Sequence, residues 1–226
     1  MDKHVCVIGA GVVGLSVCHK LLGLDRNKNN NDESPKPNSV KITLIAEHFT
    51  HQTTTYGCAG LWEPYQILGT PEDLVNQWGL HSFEYFLKLY YSDQASELGI
   101  RLLPAYKLMT EEESLISELP SWRHIVFNFS VLNKSDIQRM NLPDRFVKGY
   151  SYTTLTIDQK YYLNYMFKLL QHHPNVTIIQ KKMYSIADDL DHTLYSAVFN
   201  CTGIGSQALV PDKEVYPIRG QVVRVK

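Results

Sequence analysis

A chain of 226 residues with 44% apolar and 20% charged residues has the balance of an ordinary globular protein, and at this length folding buries roughly 70% of the unfolded surface. A net charge of -1 at pH 7 offers no basic excess for nucleic acid or an anionic membrane surface. The apolar run near the N-terminus is too short to span a bilayer. Cys6, Cys18, Cys58 and Cys201 lack the spacing of a zinc ribbon or a redox pair, which predicts free thiols in a reducing compartment.

Residues 4–11, HVCVIGAG, read as a buried strand, and residues 12–22, VVGLSVCHKLL, as a helix with Val12, Leu15, Cys18, His19 and Leu22 on one side. The same run resembles a signal peptide in hydropathy, but its basic region is very short and carries Asp2. The sequons NFS and NVT therefore carry little weight. Residues 23–39 are polar, asparagine-rich and twice interrupted by proline, and are expected to form a flexible surface insertion. Residues 40–47, VKITLIAE, resume as a strand. A helix is expected from Thr70 to about Tyr91, with Thr70 as cap, Pro71 in the first turn, Glu72 and Asp73 at the positive end, and Leu74, Trp78, Tyr85 and Leu89 on one face.

Residues 99–110 then read as a strand broken at Pro104, residues 111–120 as a surface helix ended by Pro120, and residues 149–158 as strand. Residues 159–171 read as an amphipathic helix capped by Asp158. Residues 175–183 and 195–203 are strands, and RGQVVRVK, from Arg219, begins another. His172 and His173 suit a helix end. His48 and His51 are three apart without a cluster to join them, so no metal site is expected.

GAGVVG fits GxGxxG at Gly9, Gly11 and Gly14, after a strand and at the start of a helix. Gly9 permits the tight turn, Gly11 the approach of a pyrophosphate, and Gly14 close packing of helix on strand, while the helix N-terminus supplies amides and positive partial charge. The plain alternative is a glycine-rich core turn that binds nothing. Glu47 ends the second strand, where an acid takes the ribose hydroxyls; the polar insertion accounts for a spacing above the usual ~20 residues. Its plain alternative is a solvated charge. The loop alone leaves NAD and FAD open. GCAGLWEPY, residues 57–65, bears on that choice, because small residues from Gly57 to Gly60 could form a close wall for a flat flavin; equally they could be a turn, with Trp62 a core residue.

With VCVIGAGVVGLS, TTTYGCAGLWEPY, FNCTGIGS and PIRGQVVRV in that order, the chain resembles the D-amino-acid oxidase/D-aspartate oxidase family over nearly its whole length outside the insertion. The resemblance implies an α/β fold, with a Rossmann-like FAD-binding domain (1–69 and 175–218) interleaved with a mixed-sheet α+β substrate domain (70–174 and 219–226). Gly9, Ala10, Gly11, Val12, Val13 and Gly14 would hold the pyrophosphate. Glu47 and His48 would lie at the adenosine, Thr54 and Thr55 along the phosphates, and Ala59, Gly60 and Leu61 behind the flavin. Met183 would reach the adenine side through its backbone, Thr202 and Gly203 would close the pocket, and Glu63 and Tyr65 would face substrate. His48 stands where relatives usually have Arg or Lys, Gly57 and Cys58 replace slightly larger apolar residues, and Glu63 replaces a frequent Gln. Relatives continue past the RGQ strand, so the catalytic residues and a C-terminal peroxisomal signal are expected beyond Lys226; Arg219 matches a structural position.

The implied reaction is oxidative deamination. A D-amino acid gives a hydride from its α-carbon to the flavin, the imino acid hydrolyses to a 2-oxo acid and ammonia, and oxygen regenerates the flavin with release of hydrogen peroxide. The expected partners are the D-amino acid and oxygen, with no nucleic acid or membrane and a homodimer as an option at full length, in the peroxisome or cytoplasm. Two rivals remain: a truncated flavoprotein that is catalytically dead or unfolded and at most binds FAD, and an NAD-dependent dehydrogenase sharing only the glycine loop. The 226 residues by themselves are expected to show no turnover, because orientation of substrate can carry roughly 7 kcal/mol or more of a barrier.

Overall fold

Val5, Cys6, Val7 and Ile8 are all buried in strand β1 (Lys3–Ala10), the pattern of a strand covered on both faces. The computed structural model describes residues 3–24, 40–65, 67, 69–221 and 223. After β1 come α1 (Val12–Leu22), β2 (Val40–Phe49), α2 (Thr54–Gly57), α3 (Glu72–Tyr90), β3 (Ile100–Met109), α4 (Glu111–Ile116), β4 (Phe127–Leu132), α5 (Lys134–Arg139) and β5 (Lys148–Ile157). The chain continues through α6 (Gln159–Gln171), β6 (Val176–Gln180), α7 (Ile186–Asp189), β7 (Ala197–Asn200) and α8 (Ser206–Leu209). Residues 25–39, which hold nearly all of the expected insertion, lie outside the described residues.

Two compact units result, one from residues 1–58 and 159–226, the other from residues 59–158. The sequence places the changes at 69/70, 174/175 and 218/219, whereas residues 159–226 all fall in the first unit. The chain contacts change earlier because residues 60–62 pair with β5 and because α6 packs on α1.

In the first unit four parallel strands run in the order β6-β2-β1-β7. One layer holds α1 and α6. Leu15, Cys18 and Leu22 of α1 and Leu163, Met166 and Leu170 of α6 are buried, and the His19 imidazole Nε2 lies 2.9 Å from the Met166 carbonyl. Elsewhere Cys6, Ile8, Ile45, Leu190 and Leu209 form a core cluster joined by Met183, Ile186, Tyr195 and Val198. This is the doubly covered parallel sheet that the α/β reading expects.

The second unit is built on the antiparallel sheet β3-β5-β4. Pro104 does not break β3; it pairs with Thr153 inside an unbroken ten-residue strand. It is tolerated because β3 lies at the sheet edge, where a missing N–H costs no ladder bond. Phe83 of α3 meets Trp62 with ring centroids 4.9 Å apart, and Trp62 meets Trp122 at 6.1 Å. Tyr152 also stands against Trp122 at 5.3 Å.

Other expectations change. Thr70 does not cap α3; Pro71 takes that position without a side-chain bond. The buried face of α3 is Gly79 and Phe83, with Trp78 57% exposed. Gly79 faces Ile125 and Trp62, and a Cβ there would stand 3.4 and 3.5 Å from them, an ordinary packing contact. Helix α4 starts from a capping box of Thr110 and Glu113 but ends at Ile116, before Pro120. Strands β6 and β7 stop at Gln180 and Asn200. Residues 219–221 and 223 are not in a strand, and 222 and 224–226 lie outside the described residues. Among the described residues no strand runs beside them, and extended chain becomes strand by pairing.

Candidate functional site

The loop after β1 is shaped by backbone crowding. Gly9 has φ +106°, and a Cβ on it would overlap the carbonyl of Cys201, just past β7. A Cβ on Gly14 would overlap the carbonyl oxygen of Gly9. The Cys201 amide donates to the Ile8 carbonyl at 2.7 Å. The turns after β1 and β7 therefore meet at the carboxyl ends of two neighbouring parallel strands, where ligands of such sheets bind.

Gly11 stands at the N-cap of α1 with no side-chain bond, and the first turn holds no acid. The helix thus offers an amide-rich, positive end with no internal anion to occupy it. Thr55, on α2, reaches this end: its Oγ1 accepts from the Val12 amide at 3.3 Å. Ala10 and Gly14 are buried and Val13 is 60% exposed. From the β7 side, Thr202 Oγ1 donates to Asn200 Oδ1 at 2.7 Å and lies 3.0 Å from Ser206 Oγ. Gly203 opens the next turn with φ +58°. Gly9, Gly11, Gly14, Thr55 and Thr202 are in this way gathered around one loop, whereas Thr54 is exposed beside it.

Glu47 ends up at the exposed carboxyl end of β2. Lys182 Nζ donates to Glu47 Oε1 at 3.1 Å, and His48 Nε2 lies 3.7 Å from the same oxygen. The carboxylate in turn lifts the Lys182 pKa above its ordinary value, chiefly through that hydrogen bond. Met183, next in the chain, is half-buried against the core cluster. Sequence reasoning missed Lys182 and Cys201. The only signal for the first was a charge immediately before Met183, and for the second its place next to Thr202.

Ala59, Gly60, Leu61, Glu63 and Tyr65 belong to the second unit. Gly60 accepts from the Ile157 amide at 2.9 Å, Leu61 bridges Thr156, and the Trp62 amide donates to Leu155 at 2.8 Å. The segment is an added short strand on β5. Thr154, fully buried, donates to the Trp62 carbonyl at 2.9 Å, and Trp62 Nε1 donates to Ser82 Oγ at 2.9 Å. Trp62 is core. The half-buried Glu63 has its pKa raised by burial, against a Tyr152 hydrogen bond and the Lys107 charge, which lower it. Tyr150 is pushed up to about 12 by burial and by Glu63. Tyr65 is 64% exposed.

The donor set fits a dinucleotide: a glycine-capped helix start with no acid in its first turn for a diphosphate, and a carboxylate near a strand end for a ribose diol. Among the described residues no group of three or more His, Cys, Asp or Glu could hold a metal, and no helix is long and apolar enough to cross a membrane.

Fold and loop define the class, a dinucleotide-binding α/β protein, and comparison with known proteins narrows it. Residues 4–226 match the family model described as FAD dependent oxidoreductase. The chain belongs to that FAD-dependent oxidoreductase family, whose members include the group it resembles by motif. It is 28% identical over 226 residues to D-aspartate oxidase of Homo sapiens, covering 99% of this chain and 60% of the relative. It is 30% identical over 230 residues to D-amino-acid oxidase of Schizosaccharomyces pombe, with the same 99% and 60%. Among solved structures, glycine oxidase from Geobacillus kaustophilus superposes with a TM-score of 0.61 at 16% identity, covering 92% of this chain and 58% of that one. The FAD-bound L-alpha-glycerophosphate oxidase from Mycoplasma pneumoniae gives a TM-score of 0.54 at 14% identity, covering 92% and 57%. The chain thus spans about 60% of the length of the curated relatives it matches.

Proposed function

We propose that this chain is the FAD-holding part of a D-amino-acid oxidase, an enzyme that converts a D-amino acid, oxygen and water to a 2-oxo acid, ammonia and hydrogen peroxide. The observation that carries the reading is the loop in which Gly9 and Gly14 are pressed against backbone, while Gly11 brings no side chain to the N-terminus of α1 and its first turn holds no acid. Residues 9–14 would hold the pyrophosphate with Thr55 beside them, Thr202 and Gly203 would close the loop, and Glu47 would take the ribose with Met183 beyond it. Ala59, Gly60 and Leu61 would present backbone to the flavin, with Glu63 and Tyr65 on the substrate side. Bound FAD supplies the two-electron acceptor and its reoxidation by oxygen; the chain supplies anchoring and charge. A carboxylate at Glu63 repels a substrate carboxylate side chain, so neutral D-amino acids are favoured over D-aspartate.

The test begins with the 226 residues: FAD titrated into the purified chain should bind and colour it yellow, and NAD should not displace it. Retention of NAD with no affinity for FAD overturns the reading in favour of a dehydrogenase. Peroxide release with D-alanine and with D-aspartate, assayed on the protein purified from its natural source, then decides the substrate class; equal rates would remove the assigned role of Glu63.

A further inference from the structure

Glu47 is not left to solvent, although it stands exposed at a strand end. Among the described residues Lys182 Nζ at 3.1 Å and the His48 imidazole Nε2 at 3.7 Å both fall on Oε1. The backbone is fastened at the same place. The Lys181 amide donates to the Ala46 carbonyl at 3.0 Å, and the Gln180 amide side chain donates to the Glu47 carbonyl at 3.2 Å. The two lysines diverge, since Lys181 turns to Asp189, with Nζ 3.2 Å from its carbonyl. Lys182 lies 5.7 Å from the centroid of the Tyr184 ring, and the Tyr184 amide is held by Asp189 Oδ2 at 2.7 Å. Lys182 is thus placed between a carboxylate and an aromatic face, both on anchored backbone.

We propose that Lys182 is a positioning residue for the adenosine ribose: it holds Glu47 by Oε1 and so keeps Oε2 as the acceptor for the ribose hydroxyls. The inference rests on the reading of Glu47 given under the proposed function. The physical reason is entropy. A free glutamate must lose rotamer freedom when it grips a ligand, and a carboxylate already held by one oxygen has lost much of it beforehand. A carboxylate accepts at both oxygens, so the lysine and a diol need not compete.

The experiment is a titration of the 226-residue chain with FAD, with ADP, and with 2′,3′-dideoxy-ADP, which lacks the hydroxyls. Lys182→Ala should bind FAD and ADP about two- to fivefold more weakly, the range an exposed ion pair supports, and dideoxy-ADP as before. Lys182→Arg should restore ADP binding. In a Glu47→Gln background, Lys182→Ala should change nothing further. At 1 M salt, where the screening length falls to about 3 Å, wild type and Lys182→Ala should converge. A wild-type chain that binds neither FAD nor ADP overturns the site reading and this role with it. A wild type that binds both, with Lys182→Ala equally tight or weakened equally toward ADP and dideoxy-ADP, overturns this role alone. Matching thermal melts of wild type and Lys182→Ala exclude a folding defect as the cause.

Discussion

Gly9 and Gly14 are crowded by their own fold, whereas among the described residues nothing beyond its chain neighbours lies within 4 Å of where a Cβ on Gly57 would stand. The two regions look alike on paper, each a run of small residues beside apolar ones. In the first, absence of a side chain is dictated by the chain itself: two backbone segments touch, and any substitution collides with a carbonyl. In the second, nothing among the described residues requires glycine. A bare residue that the fold does not need is free to serve a ligand, while a crowded one would be glycine whether or not a ligand came. Substitutions separate the two cases because the first should lose the fold and the second only binding.

The largest effect is expected at Gly14. Its added Cβ would overlap the Gly9 carbonyl, and neither backbone can yield without opening β1 or α1. Gly14→Ala should cost about 4 kcal/mol or more, in the range reserved for backbone or core disruption. Chemical denaturation followed by circular dichroism measures it. A loss below 1 kcal/mol would mean that the crowding is relieved cheaply, and the contrast with Gly57 would collapse.

Next comes Trp62, five residues beyond Gly57 and the anchor of the added strand. It is 7% exposed and makes ring contacts to Phe83 and Trp122. Trp62→Ala should destabilise the second unit by about 3–5 kcal/mol. Trp62→Phe should cost less, but leaves Ser82 without its indole donor. Tryptophan fluorescence on denaturation reads both. If Trp62→Ala melts as wild type does, the segment is not seated on β5.

These residues also show what the sequence could reveal. Helices α1 and α6 were legible to the residue because each carries a buried stripe at helical spacing, and β1 because an unbroken apolar run has few other uses. The glycine loop was legible because its spacing follows from local turn geometry. The face of α3 was not. Hydrophobicity points to Trp78, but the buried positions are Gly79 and Phe83, and a buried glycine leaves no apolar signal. Nor could local patterning show that Lys182 meets Glu47, 135 positions away, or that the turn at Cys201 presses on Gly9. Such pairs exist only once β6 lies beside β2 and β7 beside β1. Pro104 was read as a break because its tolerance depends on an edge position, which is a property of the sheet.

Glu63 offers a smaller effect with a sign. Burial raises its pKa above the usual carboxylate value, so the native state holds the proton more tightly than the unfolded chain. Stability should therefore fall as pH rises from about 4.3 through the raised value, and level off above it. Glu63→Gln removes the penalty, flattens this slope and raises stability on the alkaline side. Tyr152→Phe removes a hydrogen bond that lowers the Glu63 pKa, so it should extend the falling window upward. Melting temperatures from pH 4 to 8 test this, and a Glu63→Gln profile parallel to wild type would show that the carboxyl is solvated.

The smallest effect returns to Gly57. It ends α2 with φ outside the left-handed region and has open space around it. Alanine fits such a site without strain and restricts the unfolded chain, so Gly57→Ala should stabilise by about 0.4–1 kcal/mol. If the bare surface is kept for the flavin, the same methyl should weaken FAD binding while leaving ADP binding as it was, because ADP carries no isoalloxazine. Stability up and FAD affinity down is the combination that a residue reserved for a ligand produces. Stability up with FAD affinity intact would reduce Gly57 to a surface turn and confine the cofactor reading to the crowded loop.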